Sequence, residues 1–257
     1  GVSMSARSTR VTGVKHVGFA RATPPFYAPG LPRASRHNGK VSPAARRYQD
    51  VQDRIARAAE GAQRDPAEIC LVAVSKTYPA EAIRELYDLG HRHFGESRWQ
   101  EARPKIASLP PAITWHFFGH LQSNNDRQVA EEMPVIHTID NERQLAAIER
   151  QSAPTKIFVE VNLAREPQKA GIFPEDLDNF LPCVANYRKV QLLGLMTIGP
   201  AEAELEEQGR LFRQLAQMAQ GVGLEQLSMG MSGDFETAIA HGATHVRIGS
   251  SLFGSRN

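Results

Sequence analysis

Cysteine is nearly absent from this chain: its 257 residues include two, Cys70 and Cys183. Two isolated thiols far apart in sequence suit a reducing compartment, so both are expected as small core residues rather than as a disulfide. No CxxC or HExxH pattern occurs. His116, His120 and His137 stand on different segments without short ligand spacing, so no metal site is expected. No apolar run approaches the roughly 20 residues of a membrane span, and no signal-peptide core is visible. Acidic residues are missing altogether from positions 1–40, which hold Arg7, Arg10, Lys15, Arg21, Arg33, Arg36 and Lys40. Setting those seven aside leaves 23 basic against 28 acidic residues. The body is mildly acidic, which argues against a nucleic-acid partner. These absences predict a cytoplasmic protein that engages neither membrane nor nucleic acid.

What is present begins with the leader. Residues 1–42 carry Pro24, Pro25, Pro29 and Pro32, several serines and no apolar periodicity, the composition of a disordered basic tail. An Arg- and Ser-rich leader free of acid also fits a targeting peptide, and Gly1, Val2 and Ser3 ahead of Met4 read as an added remnant. The plain tail is preferred. From residue 43 the pattern turns regular. In "SPAARRYQDVQDRIARAAEGA", Ser42 is a candidate N-cap, Pro43 opens the first turn, and Val51, Ile55 and Ala58 or Ala59 recur at helical spacing. Eight strand-like segments then alternate with helix-like ones: "ICLVAVS", "HRHFGES", "ITWHFFGH", "VIHTI", "KIFVEVNL", "VQLLGLMTI", "LEQLSMGMS" and "THVRIGSSLF". With 41% hydrophobic residues, this predicts an α/β fold: a single (β/α)8 TIM barrel over residues 43–257, preceded by an N-terminal helix. A doubly wound open sheet is the alternative. No length remains for a second domain.

In a barrel the strand ends gather at one mouth, where ligands bind. "LVAVSKTYPAEAI" runs from a buried strand, Leu71 to Val74, into a helix with Pro79 in its first turn, which puts Lys76 in the loop between them. The same logic brings to the mouth Ser97, His120 with Gln122 and Asn124, Asn162, Met196 with Thr197, Ser232, and Arg247 with Gly249. "MGMSGDFETAI" and "VRIGSSLFG" place Ser232 with Gly233, and Gly249 with Ser250 and Ser251, in turns that follow the last two strands. Barrels often hold phosphate there. Arg247 lies two residues before Gly249 and faces the same side; if buried, it needs an acceptor. Plainer roles stand beside these: Lys76 as a solvated side chain, Ser232 as an N-cap, a methionine as core filler. His91, His93, His241 and His245 flank strand starts and are expected to be structural or solvated. A lysine with a phosphate cradle and an arginine suggests pyridoxal 5′-phosphate (PLP) held as an imine, which partial desolvation of the amine would favour.

The motifs "LVAVSKT", "FGES", "WHFFGHLQSNN", "IHTID", "QKAGI", "LLGLMTI", "LSMGMSGDFETAI" and "VRIGSSLFG" occur in the order found in the PLP homeostasis proteins. Over residues 44–255 the chain resembles that family, which is itself similar to the barrel domain of alanine racemase. The resemblance implies a PLP imine on Lys76, with phosphate contacts from Ser232 and from the backbone of Gly249 and Ser250. It also implies that Arg247 faces the pyridine nitrogen, that Met196 and Met231 line the pocket, and that Ser97 lies near the ring. A cation beside that nitrogen disfavours its protonation and weakens the cofactor as an electron sink. Departures are Ser97 where the family has Asn, Asn125 where it has Lys, and a short segment after "MTIGP".

The function implied is cofactor buffering and transfer without a dedicated reaction, with apo PLP-dependent enzymes as recipients. The alternative is an amino-acid racemase or a related PLP enzyme. A two-base racemase needs a second acid/base group, which in racemases is a tyrosine from an additional β-domain contributed across a dimer. With the sequence ending at Asn257, that domain is not expected, and a monomer is. A third possibility is a barrel that binds another phosphorylated metabolite without covalent linkage.

Overall fold

The structure, a computed structural model, describes residues 36–37, 40–200 and 202–254. The tail expected over residues 1–42 therefore lies largely outside the described residues. At its end, β1 (Arg36–His37) and β2 (Lys40–Val41) pair antiparallel. Ser42 then caps α1 (Pro43–Gly61), its hydroxyl accepting from the Ala45 amide at 3.1 Å. Pro43 fills the first turn, where a missing N–H costs nothing. Val51, Ile55 and Ala59 form part of the buried stripe of α1.

Eight runs of β-branched and aromatic residues form the parallel strands of a closed barrel. They are β3 (Cys70–Val74), β4 (His93–Glu96), β5 (Thr114–Phe117), β6 (Val135–Ile139), β7 (Thr155–Glu160), β8 (Val190–Met196), β9 (Gln226–Ser228) and β10 (His245–Ile248). The barrel closes where β10 pairs with β3, Arg247 opposite Val72. This is the expected (β/α)8 barrel, not an open sheet. The connecting helices are α2 (Ala80–Asp88), α3 (Trp99–Ser108), α4 (Asp126–Glu132), α5 (Glu142–Glu149), α6 (Leu177–Val184), α7 (Leu205–Gly221), α8 (Phe235–Ala240) and α9 (Ser250–Phe253). Pro79 sits at the N-cap of α2 rather than in its first turn, because its ψ of 165° is still extended.

Alternation along each strand makes two cores. Leu71 and Ala73, Ile157 and Val159, and Val246 and Ile248 pack outward in the large core shared with the helices. Val135, Phe158, Leu193 and Met196 form a separate buried cluster, the interior layer of a filled barrel. The leading helix is tied to the last two helices. Arg47 Nε donates to Leu252 O at 2.7 Å, and Arg54 pairs with Glu236 at 2.6 Å while lying over the Phe235 ring. Those helices follow the two turns that matter below, so α1 braces the site from outside. Cys70 is buried and free as expected, but Cys183 is only partly buried. The inward stripe of α6 is Leu177, Leu181 and Val184, and Cys183 falls beside it.

Candidate functional site

Lys76 stands in solvent at the end of β3, but its neighbours are held firmly. Ser75 donates its hydroxyl to Glu96 Oε1 at 2.7 Å, and its amide to Gly95 O at 2.9 Å. Lys105 Nζ reaches both Glu96 Oε1, at 2.7 Å, and Ser75 O, at 2.9 Å. Glu96 is fully buried, and burial pushes its carboxyl up against the opposing pull of Lys105 and Ser75. On the other side, Thr77 adopts a left-handed φ of 70° and gives its amide to Glu101 Oε2 at 3.2 Å. The lysine is thus an exposed arm on a fixed base. Its solvent exposure differs from the expected partial desolvation.

Around that arm lies a cavity of 340 Å3, lined by Val74, Lys76, Tyr78, Ser97, Phe118, Ile198, Met231, Ser232, Gly233, Arg247, Gly249 and Ser250. Its size falls in the range of small-ligand sites, roughly 300–1,000 Å3. Of the residues singled out from sequence, Lys76, Ser97, Met231, Ser232, Arg247, Gly249 and Ser250 all meet here. Met196 does not. It is fully buried in the interior cluster with Phe158. Strand alternation cannot tell how deep a side chain sits along the barrel axis, and Met196 falls below the mouth.

The turns after β9 and β10 form one wall. Ser232 Oγ accepts from the Gly249 amide at 3.3 Å, joining the two turns. A Cβ at Gly249 would lie 3.2 Å from Val74 O, so this turn packs closely on the end of β3. A Cβ at Gly233 would meet nothing within 4 Å. Hydroxyls and amides at such turns suit an anion. A primary amine, hydroxyls, a cation and open backbone in one cavity fit a phosphorylated aldehyde such as PLP.

Arg247 forms the floor and is 5% exposed. Its Nη1 donates to Ser228 Oγ at 2.8 Å and its Nη2 to Thr197 O at 2.9 Å; its guanidinium carbon lies 5.7 Å from the centre of the Phe118 ring. Burial lowers its pKa to about 10, opposed by Glu160 and Asp234, so it remains a cation at neutral pH.

A second cavity of 280 Å3 shares Phe118 and Ile198 with the first. It is lined also by His120, Thr138, Glu160, Asn162 and Lys169. Gln122 and Asn124, expected at the mouth, line neither of these two cavities, and Thr197 is buried behind Arg247. Asn125 accepts the Gln122 amide at 3.0 Å and so organises the turn before α4. Tyr78, Phe118 and Ile198 were not anticipated. Phe118 was legible, because in "WHFF" it shares strand parity with His116. Tyr78 is placed by tertiary contacts, donating to Gly254 O at 2.7 Å and stacking on Phe253 at 4.6 Å.

Of the histidines expected to be structural or solvated, those that are buried take the structural role. His91 and His245 are buried, as are His116 and His137. Ligand atoms of Cys70, His93 and His116 lie within 4.8 Å of one another, a cluster invisible to spacing rules because three strands contribute one residue each. The two imidazoles already share a hydrogen bond of 3.0 Å.

Comparison with known proteins agrees with this geometry. Residues 48–257 match the family described as alanine racemase, N-terminal domain. A pyridoxal phosphate homeostasis protein of Pseudomonas aeruginosa is 41% identical over 226 residues, covering 84% of this chain and 97% of the relative. Its counterpart in Escherichia coli K12 is 40% identical over 220 residues, covering 80% and 94%. The structure of PipY from Synechococcus elongatus with PLP bound aligns with a TM-score of 0.69 at 38% identity, over 79% of this chain and 100% of PipY. Alanine racemase of Corynebacterium glutamicum, at 16% identity and a TM-score of 0.59 over 79% of this chain and 60% of the racemase, shares the fold. The chain therefore belongs to the family of pyridoxal phosphate homeostasis proteins, built on the N-terminal barrel of alanine racemase.

Proposed function

We propose that this protein holds PLP as an imine on Lys76 and serves to buffer the cofactor and hand it on. The observation that carries this reading is one cavity joining an exposed lysine to two hydroxyl-bearing turns over a buried arginine. PLP supplies an aldehyde that a primary amine converts to a C=N bond with loss of water. The remaining work falls to the protein. Glu96 and Lys105 fix Ser75, and through it the base of the Lys76 arm. Ser232, Ser250 and the backbone of Gly233 and Gly249 supply donors for phosphate. Arg247 offers donors only, because a guanidinium has no acceptor. Tyr78, Phe118, Ile198 and Met231 wall the ring. Ser97 stands at the cavity edge with a short hydroxyl, where the sequence resemblance implies a longer amide.

The exposure of Lys76 supports a carrier. A linkage open to water favours release and reloading over protected chemistry. Apo PLP-dependent enzymes are the recipients this reading implies. The test is intact mass after borohydride reduction of wild type and Lys76→Ala, each incubated with PLP. One reduced PLP on the wild type and none on the variant is expected. No adduct on the wild type rejects the imine, and an undiminished adduct on Lys76→Ala places it elsewhere. Racemase and transaminase assays with L-alanine on PLP-loaded wild type that has not been reduced are expected to give no turnover.

A further inference from the structure

Below the floor of the cavity, four hydrogen bonds run in series across the barrel. Arg247 Nη1 donates to Ser228 Oγ at 2.8 Å; Ser228 Oγ and His137 Nδ1 are 2.8 Å apart; His137 Nε2 and His116 Nδ1 are 2.9 Å apart; His116 Nε2 and His93 Nδ1 are 3.0 Å apart. Ser228, His116 and His137 are all at most 2% exposed. We infer that this chain has one direction, Arg247 to Ser228 to His137 to His116 to His93, and that His137 and Ser228 are positioning residues that hold Arg247 against the cofactor.

The direction follows from counting hydrogens. A neutral imidazole carries one N–H, so each ring in series must accept at one nitrogen and donate at the other. Two directions satisfy the rings alone. The guanidinium can only donate, so Ser228 Oγ accepts from it in either case. If His137 also donated to Ser228, the serine hydrogen would have no partner in a fully buried place, which is costly. If Ser228 donates to His137 Nδ1, every hydrogen in the series is used. Charge favours the same choice. Each acceptor nitrogen then points toward the Arg247 cation and each N–H away from it. Both His116 and His137 are held well below the ordinary imidazole pKa, mainly by burial, in keeping with neutral rings. His116 and His137 are thus the Nε2–H tautomer, and so is His93 if it too is neutral.

The consequence reaches the cavity through Arg247. With Nη1 given to Ser228 and Nη2 to Thr197 O, two anchors set the plane of the guanidinium. The Ser228 anchor keeps its orientation only while His137 accepts the serine proton. This inference rests on the PLP reading for its effect on binding, but not for the direction of the chain.

Two measurements test it. Two-bond 1H–15N correlation of the imidazole nitrogens in labelled wild type is expected to show Nε2–H tautomers at His137 and His116. An Nδ1–H or doubly protonated ring at His137 at neutral pH overturns the direction. PLP affinity, read by absorbance of the bound cofactor, is then compared for His137→Phe and His137→Asn. The phenylalanine removes the acceptor for Ser228, and a loss of about tenfold is expected, the scale of one hydrogen bond to a charged group. The asparagine keeps an oxygen near the place of Nδ1 and is expected to restore most of the affinity, though both variants lose the link to His116. Equal affinity in two folded variants overturns the positioning role. Should His137→Phe not fold, Ser228→Ala takes its place, with the same tenfold loss expected and an unchanged affinity overturning the role. A wild type without any imine rejects the PLP reading, and the ring tautomers alone then decide the chain.

Discussion

At the mouth of the barrel Lys76 and Ser250 stand in solvent and Ser97 and Ser232 are half covered, whereas just beneath them His137 and Ser228 are fully buried. Both regions are polar, and they manage polarity in opposite ways. The mouth leaves its amine and hydroxyls to water, ready to exchange water for a ligand. The interior pairs its groups with one another, because an unpaired polar group in a dry place costs far more than one at a surface. Arg247 belongs to both regions, buried with its hydrogen bonds in the interior while forming part of the cavity floor. A change in the mouth should therefore alter binding and spare stability, and a change in the interior should do the reverse, except along the path to Arg247.

Acid should expose the difference most strongly. Burial is the leading cause that lowers five enclosed imidazoles, His91 and His245 to about 3, His93 to about 4, and His116 and His137 well below the ordinary value, and it also lowers the more exposed His241. Unfolded, each takes a proton near pH 6.5. Below about pH 6.5 and down to the folded values, the unfolded chain binds more protons, so stability falls as pH falls. The slope is up to about 1.4 kcal/mol per pH unit for each ring. Glu160, pushed up to about 7, acts in the opposite sense, as do the raised Glu96 and Asp234, because the fold keeps their protons longer. Five rings outweigh three carboxyls, and urea midpoints should drop steeply between about pH 6.5 and about pH 4. A flat profile there would mean that the interior is wet and the contrast false.

Next in size is Phe158→Ala. Phe158 is fully buried, stacked on His137 at 4.5 Å and edge-on to His245 at 5.0 Å. Its loss should cost about 3–5 kcal/mol in urea unfolding. Retained stability would show that the layer collapses to fill the gap. Ser232→Ala, in the mouth, should weaken PLP about tenfold through one lost bond to phosphate. Its effect on unfolding should stay below about 1 kcal/mol. A larger stability loss than binding loss would make Ser232 a structural cap. The smallest effect belongs to Lys76→Ala measured without PLP. An exposed side chain with no structural partner should change stability by less than about 0.5 kcal/mol, and a greater change would mean that the lysine braces the loop that carries it.

Eight apolar runs separated by helical periodicity announced the barrel, because buried parallel strands need both faces covered and read as near-continuous apolar segments. Lys76, Ser232, Arg247 and Gly249 were legible through the rule that strand ends converge, joined by resemblance to a known family. Met196 was misplaced because period-2 patterning fixes a face and not a depth. The histidines at strand starts stayed open between structural and solvated roles for a related reason. His93 and His245 begin strands, but the start of a barrel strand faces the same enclosed interior as its middle.

The sequence by itself determined where strands and helices form, that α1 begins at Ser42 and Pro43, and which turns carry hydroxyls and glycine. Those are local matters of hydrophobic period, capping and backbone freedom. Only the tertiary structure decided that β10 closes on β3, setting Arg247 opposite Val72. From that closure follows the meeting of His93, His116, His137 and Ser228, residues spread over 136 positions in sequence. A hydrogen-bond series of that kind has no sequence period, because each strand contributes a single member and only barrel geometry sets their order.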